Sequence, residues 1–272
     1  QPHTSYTMSA GAMTLSEMEW PDSVAGREAI AQSLVMLFGA EGTAAMLDRG
    51  VDPHHALCHA CEGGGRESSI RVCLERMAAE GLLPEALNTP GKDYDHFGGY
   101  FPLHIVGQDS SVEGLELLVE AGADVNAKTL DNGMTTLWIA CCHGRIQLVN
   151  WLLEHGADVD LIKEEPSGLS SLHIAAQNGR NQVILALLRA GMDVNVVNVP
   201  LPQRAMLGER GSWPIIPAVL NDHGATIALL TKFGSNMCAF PGHPHMNVLE
   251  GVPPSTRIST DTRKAIHASE AA

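Results

Sequence analysis

The sequence predicts an all-α protein, a solenoid of about six helix-turn-helix repeats with two extended loops between repeats. The main observation is internal similarity, because a stretch of one design occurs three times between residues 101 and 195. The glycines that close the three copies, Gly122, Gly156 and Gly191, are 34 and 35 residues apart. A second observation is that aromatic residues are only 4% of the 272 residues, which suits thin layers of short helices. Similarity at this period indicates stacked repeats.

Each copy reads as two short helices. The first begins at Pro102, Thr136 or Ser171, where proline and hydroxyl residues suit a first helical turn. The second carries an apolar stripe with helical spacing, which consists of Leu115, Leu117, Leu118 and Val119, of Leu148, Val149, Leu152 and Leu153, and of Val183, Ile184, Leu187 and Leu188. The closing glycine follows this helix, where a left-handed residue commonly ends it.

These residues resemble the ankyrin-repeat family. The matching motifs are Pro-Leu-His at 102–104, Ser-Leu-His at 171–173 and the Gly-Ala-Asp-Val-Asn-like endings at 122–126, 156–160 and 191–195. The resemblance implies a repeat domain over residues 24–234, with repeats near 29–50, 55–81, 101–122, 135–156, 170–191 and 213–234. Pro217 lies inside the first helix of the last repeat, so we expect that helix to be short or distorted.

The two ends of the chain lie outside the predicted repeats. Residues 1–23 read as a flexible leader. Residues 235–272 read as a C-terminal tail with a short capping helix from Thr260 to His267. Such a helix would cover the outer face of a terminal repeat, which has a neighbour on one side only.

Charge and composition narrow the choice of partner. The formal net charge is −14, which argues against binding to nucleic acid and favours a protein partner with a basic surface. The apolar runs are too short to span a bilayer, so we expect no membrane insertion. Most of the six cysteines lie in apolar helical patterns, which is typical of free thiols in a reducing compartment. We therefore expect a cytoplasmic or nuclear protein, or one inside an organelle after removal of a targeting segment.

The resemblance implies a non-enzymatic interaction module or scaffold, without a cofactor, that binds another protein through its concave face and inserted loops. The chain has neither a glycine-rich phosphate loop after a strand nor a nucleophile elbow. Two alternatives remain open at this point. The chain could be a structural subunit of a large multiprotein assembly, or a regulatory ankyrin fragment of a larger enzyme.

The two inserted loops are the first candidate binding sites. Aromatic side chains concentrate in residues 88–100, and the predicted contacts there are Tyr94, His96, Phe97 and Tyr100. In the second loop, residues 196–212, the predicted contacts are Arg204 and Met206. The alternative for each loop is that it packs over a neighbouring repeat.

The resemblance also implies contacts at loop tips and near the turns between helices. Those positions are occupied here by Gln108, Asp109, Asp131, Asn132, Met134, Cys142, His143, Glu164, Glu165, Gln177 and Asn178. Trp138 stands where the other two copies have histidine. It either packs between repeats or is an exposed anchor for the partner.

Three further patterns have a functional and a structural interpretation. Histidines and cysteines cluster between His54 and Cys61, but without a second Cys-x-x-Cys pair we predict core packing and no metal site. Glu113, Glu116 and Glu120 share one helical face, which reads as a solvated face and not as paired catalytic carboxylates. Asn126 and Asn195 resemble asparagines that are hydroxylated in ankyrin proteins, although such asparagines also stabilise turns.

Overall fold

The computed structural model describes residues 15, 18, 20–90, 99–109, 111–161, 168–198, 212–237, 248–249 and 257–270. These residues form helices and no β-strand, apart from one isolated antiparallel bridge between Lys128 and Thr135. The predicted all-α repeat fold is thereby confirmed. None of the described helices is long and apolar enough to cross a membrane. The chain divides into two compact units, residues 1–127 and 128–272.

The first unit contains six α-helices within its described residues. They are α1 (Val24–Ala29), α2 (Ala31–Leu47), α3 (Pro53–Cys61), α4 (Glu67–Ala79), α5 (Pro102–Gln108) and α6 (Val112–Glu120). A 3₁₀ helix, Glu85–Asn88, follows α4. Helix α2 is kinked at Gly39, whose φ of 53° and ψ of −130° suit only glycine. Helix α3 packs against α4 and α5, and α6 packs against the same two helices.

The second unit is built in two layers of helices. The described helices are α7 (Thr136–His143), α8 (Ile146–Glu154), α9 (Ser171–Gln177), α10 (Asn181–Arg189), α11 (Ile215–Leu220), α12 (Gly224–Lys232) and α13 (Thr260–Glu270). The first helices of successive repeats form one layer, in which α9 lies between α7 and α11. The second helices form the other, in which α10 lies between α8 and α12.

Helix α11 has six residues and contains Pro217 without a break. The proline is the third residue of the helix, where a backbone N–H has no intrahelical partner in any case. Its missing donor therefore costs no hydrogen bond. The outcome is a short first helix.

Helix α13 is fixed to the end of the second unit by hydrogen bonds at its start. Asp222 accepts hydrogen bonds from the backbone N–H and the hydroxyl of Ser259 at 3.0 and 2.8 Å. Ile266 is fully buried, and α13 packs against α12. The helix thus covers apolar surface that α12 would otherwise expose.

One aromatic position makes the same hydrogen bond in three repeats. The Nε2 atom of His104 donates to the carbonyl of Ala127 at 2.9 Å, and that of His173 to the carbonyl of Ser212 at 2.8 Å. Trp138, at the corresponding position, donates through Nε1 to the carbonyl of Leu169 at 3.0 Å. Each ring therefore fixes backbone of the loop that follows its own repeat.

The remaining ring nitrogen of each histidine identifies its tautomer. Nδ1 of His104 accepts the backbone N–H of Phe101 at 3.1 Å, and Nδ1 of His173 accepts the hydroxyl of Ser170 at 2.7 Å. Both rings are therefore neutral, with the proton on Nε2. Burial lowers the pKa of His104 and of His173 to about 4, because a charged imidazolium would lose its hydration.

These lowered pKa values predict a loss of stability in acid. The histidine pKa is near 6.5 in the unfolded chain and about 4 in the folded one, so the unfolded state binds the proton first as pH falls. The free energy of unfolding keeps its full value above pH 6.5. Between pH 6.5 and 4 it falls by about 3 kcal/mol for each histidine. We expect the wild type to be more stable than His104→Gln at neutral pH. The difference between their free energies of unfolding in urea should become smaller as the pH falls over this range. The same substitution at exposed His267 is the control, and a gap independent of pH would contradict the assignment.

Gly122 lies very close to Pro84. Gly122 has a φ of 102°, and a Cβ placed on it would lie 2.5 Å from the Cβ of Pro84, which belongs to a rigid ring. Gly81, in the same unit, has a φ of 72°, and a Cβ placed there would have no atom within 4 Å. We expect Gly81→Ala to cost about 1 kcal/mol from backbone strain alone, and Gly122→Ala to cost at least about twice as much by urea unfolding. Equal losses would show that the approach of Pro84 does not constrain this position.

Candidate functional site

The backbone of the second unit begins with a hydrogen-bonded loop, residues 128–135, here called the hairpin loop. Its ends are joined by the bridge between Lys128 and Thr135. Inside it, the N–H of Thr129 donates to the carbonyl of Met134 at 2.9 Å, and the N–H of Gly133 donates to the carbonyl of Thr129 at 3.0 Å. The hydroxyl of Thr129 accepts from the N–H of Met134 and donates to Asn132, each at 3.0 Å. These bonds hold the loop in one conformation.

The tip of the hairpin loop carries an apolar side chain into solvent. Leu130 is 67% exposed, and the neighbouring Asp131 is exposed as well. Asn132 is half-buried and Met134 is buried. Leu130 and Asp131 together therefore form an exposed pair, one side chain apolar and the other acidic.

A second group of predicted residues meets where α7 and α9 end. The side-chain amide of Asn178 donates to the carbonyl of Cys142 at 3.2 Å and lies 3.6 Å from its sulfur. His143 is exposed. The carbonyl of Gln177 accepts a hydrogen bond from His223 at 3.0 Å. The structure thus brings Cys142 and Asn178 together and leaves His143 accessible beside them.

In the first unit, Asp109 has a structural contact at the end of α5. Its carboxylate accepts the backbone N–H of Gly63, which ties α5 to the loop between α3 and α4. Gln108 and Asp109 are both half-buried. Tyr100 is half-buried too, and its ring lies 5.9 Å from that of His104 in an edge-on arrangement.

The side chains of Met134 and Trp138 are buried at 7% and 8% exposure. The indole of Trp138 is used in the hydrogen bond to Leu169 described above. Neither side chain offers a surface to a partner, and Trp138 packs within the fold. The remaining predicted contacts lie outside the described residues, namely Tyr94, His96, Phe97, Glu164, Glu165, Arg204 and Met206.

The cysteines of the His54–Cys61 stretch are packed in the core. Cys58 and Cys61 are buried, and burial raises the pKa of Cys58 to about 12. Burial also raises the pKa of Cys61, Cys73 and Cys141, so these thiols stay protonated at neutral pH. Within the described part of the chain, no three His, Cys, Asp or Glu side chains are grouped so that they could hold a metal ion.

The glutamates of α6 lie on its outer face. Glu113 forms an ion pair with Arg71 at 2.9 Å, and both side chains are more than half exposed. Glu116 and Glu120 are both exposed, and they lie four residues apart on the same side of the helix. An exposed ion pair of this kind is typical of a solvated surface.

Asn195 connects one repeat to the next through its side chain. Its amide donates to the carbonyl of Gly234 at 3.1 Å and its Oδ1 accepts the N–H of Asn236 at 2.7 Å. The N–H groups of Asn126 and Asn195 each bond the aspartate two residues earlier at 2.9 Å. Hydroxylation of these two asparagines stays a prediction, since the turn contacts give them a structural role in either case.

Leu130 is the most exposed large apolar residue of the described part of the chain, and the sequence predictions missed it. A signal for it exists, because Asn132-Gly133 favours a turn, and the hydrogen bond from the Gly133 N–H to the Thr129 carbonyl closes that turn around Leu130. An apolar residue at a turn tip is placed in solvent by the turn itself. Repeat alignment alone gives no such information, because the loop lies between the helices that the repeat pattern defines.

Comparison with known proteins agrees with this architecture. Residues 103–198 match the family described as ankyrin repeats, in three copies. The chain is 43% identical over 56 residues to the potassium channel AKT1 of Oryza sativa subsp. indica, which is 21% of this chain and 6% of the channel. It is 38% identical over 63 residues to BRCA1-associated RING domain protein 1 of Caenorhabditis elegans, which is 23% of this chain and 9% of that protein.

The similarity to both relatives thus covers only a small part of their length. The family match covers the region in which the two-helix repeats, the terminal glycines and the ring-to-carbonyl hydrogen bonds recur. Residues 103–198 thus form an ankyrin-repeat region with three recognised repeats.

Proposed function

We propose that this chain is a non-catalytic module that binds another protein, and that the hairpin loop is its principal contact. Ankyrin repeats indicate a protein–protein interaction module. The role of the hairpin loop rests on Leu130, which is 67% exposed at the tip of a loop held by its own hydrogen bonds. An exposed leucine on a fixed loop gains free energy when a partner buries it, with little loss of conformational entropy.

The charge of the chain supports a partner with a basic rim. The net charge is −14, and Asp131 is exposed next to Leu130. A partner with an apolar pocket for Leu130 and basic side chains around it would complement both residues. The excess of negative charge would also speed the encounter, most strongly at low ionic strength.

The non-catalytic part of the proposal rests on how the reactive groups of the described residues are used. The buried cysteines have raised pKa values, which disfavours the nucleophilic thiolate. Both ring nitrogens of His104 and of His173 are occupied by structural hydrogen bonds. The cysteines therefore pack in the core, and the histidines hold the backbone of the loops.

The test is a pair of leucine substitutions in the full chain. Leu130→Ser removes the proposed anchor, and Leu37→Ser makes the same change at a leucine of α2 that is 48% exposed. Proteins captured by the tagged wild type are identified by mass spectrometry, and the affinity of the recovered partner is then measured by titration calorimetry. We expect Leu130→Ser to weaken binding by about tenfold or more, since burial of a leucine contributes about 1.5–3 kcal/mol. Leu37→Ser should leave the affinity unchanged.

Two results would contradict the proposal. One is a partner that binds Leu130→Ser as tightly as the wild type. The other is an equal loss with both substitutions, which would point to a general effect of exposed leucines. Equal urea midpoints for the three proteins are required before the affinities are compared.

A further inference from the structure

A groove lies between α8 and α10, in the layer of second helices of the second unit. It encloses about 320 Å³, which is at the lower end of the size typical for ligand sites. Its walls are formed by Ile146, Asn150, Gln182, Leu185, Ala186 and Arg189. Three of these side chains are apolar, two are neutral amides and one is a cation.

The described residues that line this groove include none of the carboxylates that the outer face of α6 carries. Helices α6, α8 and α10 each have nine residues, so their positions correspond one to one. The second, fifth and last residues of α6 are Glu113, Glu116 and Glu120. The corresponding residues of α8 are Gln147, Asn150 and Glu154, and those of α10 are Gln182, Leu185 and Arg189.

Of the two helices that form the groove, α10 differs more in its side chains from the solvated face of α6. A half-buried leucine, Leu185, stands at the position of Glu116, and an exposed arginine, Arg189, stands at that of Glu120. In the part of the chain that the structure describes, no carboxylate pairs with Arg189 and no side chain bonds the amides of Asn150 and Gln182. A cation in the last turn also interacts favourably with the helix dipole, but the dipole gives no reason for the leucine.

We propose that the groove between α8 and α10 binds an extended peptide segment in which an apolar side chain lies close to a carboxylate. The apolar side chain lies on Ile146, Leu185 and Ala186. Arg189 binds the carboxylate, for which its planar guanidinium is suited. Charge complementarity selects an acidic segment, because Arg189 is the one charged side chain among the described residues that line the groove.

The two amides favour an extended segment over a helix. A helix satisfies its own backbone N–H and C=O groups, apart from those at its ends. An extended peptide has unpaired backbone groups along its length, and these need partners. Asn150 and Gln182 each offer a donor and an acceptor on opposite walls of the groove.

This groove is distinct from the contact proposed above. It is formed by second helices of two repeats, whereas the hairpin loop precedes the first helix α7. Binding at the groove therefore does not depend on Leu130, and the two proposals can fail separately.

The experiment selects a random octapeptide library on the full chain and measures the enriched peptides, labelled with fluorescein, by fluorescence anisotropy. Arg189→Gln removes the cation, and Leu185→Glu restores the carboxylate that α6 carries at this position. The matched control is Arg263→Gln, which removes the same charge from an exposed position of α13. Leu130→Ser separates this surface from the hairpin loop. Urea unfolding of every variant verifies that it is folded.

We expect enriched peptides with an apolar residue within two positions of Asp or Glu. Their affinity should fall roughly tenfold or more with Arg189→Gln, the loss of a charge-assisted hydrogen bond, and as much with Leu185→Glu. It should not change with Arg263→Gln or Leu130→Ser. Failure to enrich any peptide, enrichment of basic peptides, or affinities that are insensitive to Arg189→Gln and Leu185→Glu would each overturn the proposal.

Discussion

Three repeats of this chain depend on the same hydrogen bond, from an aromatic ring N–H near the start of the repeat to a backbone carbonyl of the loop that follows. His104, Trp138 and His173 make this bond at 2.9, 3.0 and 2.8 Å. The donor and acceptor are separated by 23, 31 and 39 residues respectively. The bond therefore has the same length although the intervening chain differs by sixteen residues, the difference between 23 and 39. A loop can therefore contain inserted residues while the carbonyl that accepts the ring hydrogen bond keeps its position.

This position requires a neutral N–H donor, which an imidazole ring can supply. The histidines also use Nδ1 as an acceptor, for Phe101 and for Ser170. Indole has no second ring nitrogen, so Trp138 keeps only the donor. The backbone N–H of Trp138 is capped by the hydroxyl of Thr135 at 3.2 Å, as that of His173 is by the hydroxyl of Ser170 at 3.4 Å. A donor that cannot titrate is thus compatible with the same loop position, whereas the histidines make the other two loops sensitive to acid.

Much of the repeat architecture could be predicted from the sequence, because helix length, apolar spacing and closing glycines are local properties. The binding surfaces could be predicted less well, since exposure depends on how a loop closes. Leu130 and Met134 both lie in the hairpin loop and are both apolar, yet one is exposed and the other is buried. The sequence leaves Trp138 open to two interpretations for the same reason. The groove between α8 and α10 has a sequence signal in the missing glutamates, but its shape depends on the packing of two helices.

The loop contacts of His104 and His173 require both rings to be neutral, and NMR of their ¹⁵N and ¹H nuclei tests this state most directly. Long-range ¹H–¹⁵N spectra recorded between about pH 8 and 4 report the tautomer and the pKa of each imidazole. The structure requires the Nε2–H tautomer for His104 and His173, with a slowly exchanging ring proton and a pKa of about 4. A proton on Nδ1, or titration near the ordinary pKa of 6.5, would contradict this assignment.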